Sequence, residues 1–212
     1  MISFVIDGAE FAKAAWNALI FTPARSPIPA AKMYLSGEES YLLATDTYTI
    51  GRPSLGPTRG VVRPVSRDLT REDLSRLDKV GRASKGEVRI DVPEDNGLIV
   101  NGLQVDVQEV IPDRTASVSY DRSVWDRCRA LMERLEREEP SIPELLALDP
   151  ELLARFGKIK TPKGTTPLLD MRITSPSDPI LIRCGPNFMG ALMPVDRAVA
   201  SQAATRGGEF LW

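Results

Sequence analysis

The sequence predicts an α+β protein that repeats one arrangement of elements: a strand, a helix and about three further strands. Residues 1–112 show this β-α-β-β-β pattern twice, although the two halves share no visible sequence identity. Seventeen prolines fall mainly between the apolar runs, which favours many short elements joined by sharp connections. The remainder starts in the same way. We therefore expect two domains, 1–113 and 114–197, followed by a flexible tail, 198–212.

The composition is that of an ordinary globular protein, with 42% hydrophobic and 26% charged residues among 212. A formal charge of −2 argues against coating of nucleic acid by bulk charge, but it leaves room for a local basic surface. The chain has no histidine, so the usual base of a catalytic triad and the commonest metal ligand are both absent. We expect no catalytic residues, no metal and no cofactor.

Two features of the sequence bear on the cellular setting. Cys128 and Cys184 lie far apart in the sequence, and neither belongs to a metal-binding motif, so the sequence argues against a zinc site. Two such cysteines also favour a reduced, intracellular environment. The N-terminus begins directly with a strand and shows neither a basic region nor a long apolar region. We expect no signal peptide, no membrane span and no membrane partner, and a location in the bacterial cytoplasm or nucleoid.

The first half of domain 1 reads as one helix between short strands. Apolar residues spaced by three and four place one face of the helix on a core, and a proline-rich stretch at 22–29 ends it. The predicted elements are strands at 3–7, 32–35, 40–50 and 60–65 and a helix over 8–21.

The second half is marked by a helix start at Thr70, with Asp73 placed as in a capping box. Leu74, Leu77 and Val80 form its apolar stripe, and four basic residues fall on the opposite arc. That arc has two interpretations, a solvated helix surface or a basic binding face. Strands follow at 87–92 and 98–110, and the latter is either two strands or one bent strand around the hairpin dipeptide at 101–102.

Domain 2 departs from the repeat. A strand at 116–120 precedes a helix capped by Asp121, whose apolar face includes Trp125, Cys128 and Leu135. The three strands expected next are missing. The chain goes instead to a fourth helix, with Asp149 as cap and Pro150 in the first helical position. Three strands end the domain, at 168–174, 179–184 and 188–195.

The stretch 41–50 reads as a strand with polar residues at its far end, and its Asp46 has two interpretations. It is either a turn residue that accepts backbone N–H bonds or a catalytic carboxylate of the aspartic-protease type, which would require a second such Asp. The tail raises a similar choice. The tail ends in three apolar residues, Phe210, Leu211 and Trp212, for which there are three interpretations. They dock on the surface of the protein's own fold, they bind a partner as a short linear motif, or they complete the core.

Several motifs, in order along the chain, resemble the bacterial DNA polymerase III β sliding clamp family. Residues 43–50 are similar to its Ala-Thr-Asp-Gly segment, 110–114 to the Phe-Pro-Asp-Tyr junction between domains, and 191–195 to its closing strand. The segment 148–153 is similar to the start of its last helix. The departures are Thr47 in place of Gly, Ile111 and Arg114 in place of Phe and Tyr, and two domains where the bacterial clamp has three.

The resemblance implies the DNA clamp fold, with helices on one side, antiparallel sheets on the other and no enzymatic activity. It implies a phage-like processivity factor that encircles duplex DNA, independently of base sequence, as a homotrimeric ring. The strands missing from the second domain argue against a closed ring, because the subunits of such a ring are joined by pairing between the edges of their sheets. The alternative is a clamp-fold interaction module that forms no ring and regulates replication or transcription partners. The residues implied to face DNA are Arg25, Arg71, Arg76, Lys79, Arg82, Arg122, Arg129, Arg155 and Lys158.

The resemblance also implies an apolar groove at the domain junction, in which a DNA polymerase and a clamp loader bind through short peptides. The simpler alternative for its apolar members is that they are plain core residues. The tail, with its apolar end, is a further candidate occupant of the groove. The implied groove residues are Ile28, Thr45, Thr47, Tyr48, Thr49, Ile50, Pro112, Val118, Ala191, Met193 and Pro194.

Overall fold

The computed structural model describes residues 2–22, 31–37, 39–59, 63–93, 97–102, 107–111 and 123–196. Within these ranges it has four helices and eleven strands. The helices are α1 Gly8–Ile20, α2 Arg71–Ala83, α3 Ser123–Arg137 and α4 Pro150–Phe156. The strands are β1 Ile2–Asp7, β2 Ala31–Leu35, β3 Tyr41–Thr45, β4 Thr49–Pro53, β5 Val65–Leu69, β6 Glu87–Val92, β7 Leu98–Gly102, β8 Val107–Ile111, β9 Leu169–Arg172, β10 Ile180–Cys184 and β11 Phe188–Leu192.

The helix starts follow from local capping chemistry. Asp7 accepts a bond from the backbone N–H of Glu10 at the start of α1. Thr70 and Asp73 form the predicted capping box of α2, and Asp149 caps α4 with Pro150 in its first turn. Each cap satisfies backbone donors that have no partner inside the helix. These three helix starts confirm the sequence prediction.

The strands form two antiparallel sheets. One has four strands in the order β1-β6-β7-β8, and the other has seven in the order β5-β2-β3-β4-β11-β10-β9. The seven-stranded sheet crosses the predicted domain boundary, because β4 pairs with β11 over Ile50↔Ala191 and Gly51↔Gly190. The two parts of the chain therefore share one hydrogen-bonded sheet.

Both faces of the seven-stranded sheet are covered at its centre. Alternation along the strands turns Ala44 and Gly51 to one side, which we call the inner face, where Phe21 and Phe156 of the main core pack. Ile50 and Ala191 turn to the opposite side, the outer face, which α3 covers. All five residues of β3 are buried as a result.

The α1 and α2 helices pack closely on each other. A Cβ atom built on Gly81 of α2 would lie 2.7 Å from the carbonyl oxygen of Gly8 and 2.8 Å from the backbone nitrogen of Ala12. Only a glycine permits this approach. The main core joins residues of α1, α2, α4 and both sheets, whereas α3 has a separate, smaller core on the outer face.

The predicted α+β class and its strand-helix pattern are confirmed, with four corrections. The stretch 41–50 is two strands joined by a turn, the strand predicted at 60–65 lies at Val65–Leu69, and Asn101 and Gly102 belong to β7, where they pair with Gln108 and Val107. The α3 helix lies on the opposite sheet face from α4, so the described helices are not all on one side. Residues 138–149 contain no strand, as the sequence predicted. The strand at 116–120, its cap at 121 and the tail lie outside the described residues.

Candidate DNA and partner surfaces

Two cations from different parts of the chain lie against the indole ring of Trp16 on α1. The Arg82 guanidinium, in the last turn of α2, is 5.4 Å from the ring centroid, and the Lys160 ammonium is 3.9 Å from it. Both distances are typical of cation–π contacts. The fold therefore brings a residue of the segment after α4 beside two helices from the first part of the chain.

The position of Lys160 is fixed by its backbone. The Asn17 side chain donates from Nδ2 to the Lys160 carbonyl oxygen over 2.9 Å and accepts from the Lys160 backbone N–H over 2.8 Å. Asn17 is buried in α1, so these bonds anchor the segment after α4 to that helix. A buried amide satisfied on both sides is a precise spacer between elements.

The charges around Trp16 are not balanced locally. Burial lowers the pKa of Lys160, and the nearby Arg82 charge lowers it further, while Asp78 acts in the opposite direction. Asp78 already accepts a 2.8 Å bond from Nε of Arg82. Lys79 lies three residues before Arg82 on α2, and Lys158 lies two residues before Lys160. The side chains of Lys79 and Lys158 are exposed. We call Lys79, Arg82, Lys158 and Lys160 the basic surface.

Other residues predicted to face DNA make contacts within the protein. Arg71 donates to the Leu19 and Thr22 carbonyl oxygens at the end of α1, and Arg76 pairs with Glu72 over 2.5 Å within α2. Arg155 of α4 forms an ion pair with Asp46. Arg25 and Arg122 lie outside the described residues. Among the predicted residues with a described position, Lys79, Arg82 and Lys158 contribute to the basic surface.

Arg129 is separated from this basic surface by the sheet. It lies on α3, where its guanidinium is 5.9 Å from the Tyr34 ring and bonds to Tyr41 on the outer face. Burial raises the pKa of the Tyr41 phenol. The phenol that bonds to Arg129 is therefore neutral. Because α1, α2 and α4 share the main core on the inner side, Arg129 and Lys79 lie on opposite sides of the seven-stranded sheet.

The turn between β3 and β4 is organised by Asp46. Its Oδ1 accepts from the Thr49 backbone N–H over 2.7 Å, the Thr49 hydroxyl over 2.8 Å and the Tyr48 backbone N–H over 3.1 Å. The other oxygen binds Arg155, and the side chain is 6% exposed. This geometry confirms the interpretation of Asp46 as a carboxylate that fixes a turn.

The predicted groove residues meet at the β4–β11 junction, but most of them are covered. Thr45, Thr49, Ile50 and Ala191 are buried, and the Cys128 thiol of α3 bonds to the Thr45 side chain. Thr47, Tyr48 and Met193 are exposed, and Pro194 is half-buried. Ile28, Pro112 and Val118 lie outside the described residues. The described part of the predicted groove is thus a surface largely occupied by α3.

Sequence reasoning missed Trp16 and Lys160. Trp16 lies off the apolar face of α1, which is an unusual place for a large aromatic residue and is the signal that could have identified it. Lys160 follows α4 in a loop, and no sequence pattern links it to α1.

Within the ranges that the structure describes, no helix is long and apolar enough to cross a membrane. Nor do these ranges contain a group of three histidine, cysteine, aspartate or glutamate side chains placed to bind a metal ion. Both cysteines are free and buried. The surfaces above are therefore the main candidates for function among the described residues.

The fold that this architecture defines is the DNA clamp fold. Solved clamps match the chain over most or all of its length: the DNA polymerase sliding clamp of Bacillus subtilis at TM-score 0.64 and 11% identity, and the DNA polymerase III β subunit of Thermotoga maritima at 0.67 and 12%. The β subunit from DNA polymerase of Streptococcus pyogenes matches at 0.60 and 10%. The alignments cover 100%, 92% and 100% of this chain.

The protein has the fold of the DNA polymerase III β sliding clamps. At identities of 10–12%, these matches establish the fold. The chain spans 66% of the length of each of these three clamps. No protein-family model and no curated protein matches the sequence.

Proposed function

We propose that the protein is a clamp-type accessory factor of DNA replication that binds duplex DNA without sequence preference and performs no catalysis. The observation that carries this proposal is the convergence of Arg82 and Lys160 on Trp16. Burial, and after it the Arg82 charge, lower the pKa of Lys160, whereas the nearby Asp78 carboxylate acts in the opposite direction. DNA phosphates would supply the missing negative charge.

The proposed DNA contact is made by charge rather than by base recognition. Lys79, Arg82, Lys158 and Lys160 present ammonium and guanidinium groups, which bind phosphate oxygens and carry no sequence information by themselves. Such binding weakens as the salt concentration rises. The reason is that binding releases counterions from the DNA, and this release is less favourable when the solution already contains more salt. The overall charge of −2 limits tight static binding, which suits a protein that moves along DNA.

The test is DNA affinity measured by fluorescence anisotropy with a labelled duplex over a series of salt concentrations. We expect Lys160→Glu to weaken binding about tenfold at low salt and to reduce the salt dependence. Arg137→Glu is the matched control, because Arg137 is an exposed residue of α3 beyond the outer face. Equal losses in both variants would contradict the proposed surface, and so would equal affinity of both variants and the unmodified protein.

We further propose that partner proteins, a DNA polymerase and a clamp loader, bind at the β4–β11 junction, and that copies of the chain assemble as a ring. The clamp fold and the two-domain length support the ring. A second candidate is a clamp-fold regulator that forms no ring. It is favoured by one observation: residues 138–149 contain none of the three strands that the repeat pattern predicts there, and such strands would provide a sheet edge for pairing between copies. The solution mass distinguishes the two candidates, as argued below.

A further inference from the structure

The α3 helix contacts the outer face as a peptide helix would contact a binding groove. Its four buried residues, Trp125, Cys128, Met132 and Leu135, are spaced by three, four and three positions, which places them along one side of the helix. They pack on Leu43, Ile50, Leu181 and Ala191 of the sheet. An amphipathic helix lying with such anchors in an apolar surface is a recurring mode of peptide recognition.

Apolar side chains are also exposed near the strands that α3 covers. Tyr48 lies in the turn before β4 and Met193 directly follows β11, each two residues from Ile50 or Ala191, and the Met193 backbone N–H donates to the Tyr48 carbonyl oxygen over 2.9 Å. Their exposures are 63% and 38%. Two solvent-exposed apolar side chains therefore lie next in the chain to the strand ends that α3 covers at Ile50 and Ala191.

Polar contacts hold the C-terminal half of α3. Arg183 of β10 pairs with Glu136 over 2.6 Å, and Arg172 of β9 donates to the Glu138 carbonyl oxygen. The Arg183 side chain is 55% exposed, so this pair is solvated and adds little to the packing. Arg129 also bonds to Tyr41, the Cys128 thiol bonds to Thr45, and Arg134 pairs with Asp178 over 3.6 Å. The small apolar core under α3 is separate from the main core, so the helix can leave the sheet without opening that core.

We propose that α3 is a built-in occupant of the partner surface: the helix opens locally, and a partner peptide reaches Ile50 and Ala191 only when α3 has left them. The partner peptide rests on the proposed function, whereas the local opening of α3 does not. A partner would bind first to the exposed Tyr48 end and then compete with Trp125 for the covered end. The apparent association constant for the partner would equal the intrinsic constant multiplied by the fraction of molecules in which α3 is open.

The native thiol under α3 provides the first test. In a Cys184→Ser background, the rate at which Ellman's reagent labels Cys128 reports the opening of α3, because burial both shields this thiol and raises its pKa. We expect labelling at least about tenfold faster than global unfolding allows, with a weak dependence on urea, since local opening exposes little surface. Labelling that follows global unfolding over the whole urea range would overturn the proposal.

A second variant separates the local opening from overall destabilisation. Trp125→Ala should raise the Cys128 labelling rate about a hundredfold or more, since it removes the largest anchor of α3. The single thiol of a Cys128→Ser background, Cys184, is buried in the main core and serves as the reporter of global unfolding. An equal increase at both thiols would mean that α3 opens only with the whole protein, and it would overturn the proposal.

The binding face is tested with a synthetic peptide of residues 123–137. We expect the full-length Trp125→Ala variant to bind this labelled peptide at least about tenfold more tightly than the unmodified protein does, because its own α3 competes less well. Equal affinities, with Cys128 still labelled fast, would overturn the role of α3 as an occupant. DNA takes no part in these measurements, so a failure of the proposed DNA binding would be seen separately, in the anisotropy experiment.

Discussion

The Asp46 carboxylate holds a turn whose next residue has an unfavourable backbone conformation. Thr47 has φ +80°, in the left-handed region that β-branched residues rarely adopt. The bonds from Tyr48, Thr49 and Arg155 to Asp46 offset this strain. The turn leaves the Tyr48 side chain exposed, two residues before Ile50, so the strain lies next in the chain to a candidate binding surface.

Replacing Thr47 by glycine should stabilise the protein. Glycine adopts a positive φ without a steric penalty, and we expect the free energy of unfolding to rise by about 1 kcal/mol, measured by urea denaturation. Thr166→Gly is the control, since Thr166 is exposed and has no positive φ. That change should lower stability slightly, because it only adds freedom to the unfolded chain. A loss of stability on Thr47→Gly would contradict the assigned strain.

Removing the charge of Asp46 should be costly. We expect Asp46→Asn to lower the free energy of unfolding by about 2–3 kcal/mol, because an amide cannot accept from Arg155 and the turn in the same way. A double-mutant cycle with Arg155→Ala, followed by urea denaturation, measures the coupling of the two side chains. Additive effects of the two changes would show that the ion pair does not contribute.

At the scale of elements, the crossing of α1 and α2 determines where the basic surface lies. Gly81 lies at the closest approach, next to the Gly8 carbonyl oxygen and Ala12, and it is one residue from Arg82. A wider crossing would move Arg82 away from Trp16. The geometry of the cations therefore depends on a residue that has no side chain.

The crossing can be tested with two equivalent changes. Gly81→Ala should lower the free energy of unfolding by about 1–3 kcal/mol, since its Cβ would lie 2.7–2.9 Å from atoms of α1. Gly157→Ala is the matched control, because its Cβ would meet only the Ala154 carbonyl oxygen at 3.4 Å and its φ is −69°. That variant should be neutral or more stable by about 0.5 kcal/mol. A comparable loss in both variants would contradict the close crossing.

The elements that the sequence predicted well are those with a local signal. The caps at Thr70 and Asp149 define helix starts through bonds to the neighbouring backbone, and the apolar stripes define which helix side is buried. The stripe of α3 does not say which sheet face it covers, because both faces of the central strands are apolar. The contact of Lys160 with Trp16 depends on residues far apart in the chain, and no local pattern encodes it.

At the scale of the whole molecule, the two proposed assemblies differ in mass. A ring of three copies would have about three times the mass of the 23.3 kDa chain, whereas the regulator without a ring would remain monomeric. Light scattering over a range of protein concentrations measures this directly. The proposed ring predicts the trimer mass at high concentration. A monomer throughout would exclude the ring and favour the alternative.

The pairing of β4 with β11 also determines how the protein gains and loses its structure. Since the last strands of the chain are hydrogen-bonded to strands from its first quarter, the seven-stranded sheet is complete only when both predicted domains are present. The seven-stranded sheet can be completed only after the C-terminal strands have been synthesised, and we expect its unfolding to be a single transition. A nascent chain that ends before residue 188 would expose the β4 edge, which is a site for aggregation in the cell. The boundary predicted near residue 113 divides the sequence by its pattern, whereas the seven-stranded sheet joins the two parts of the chain.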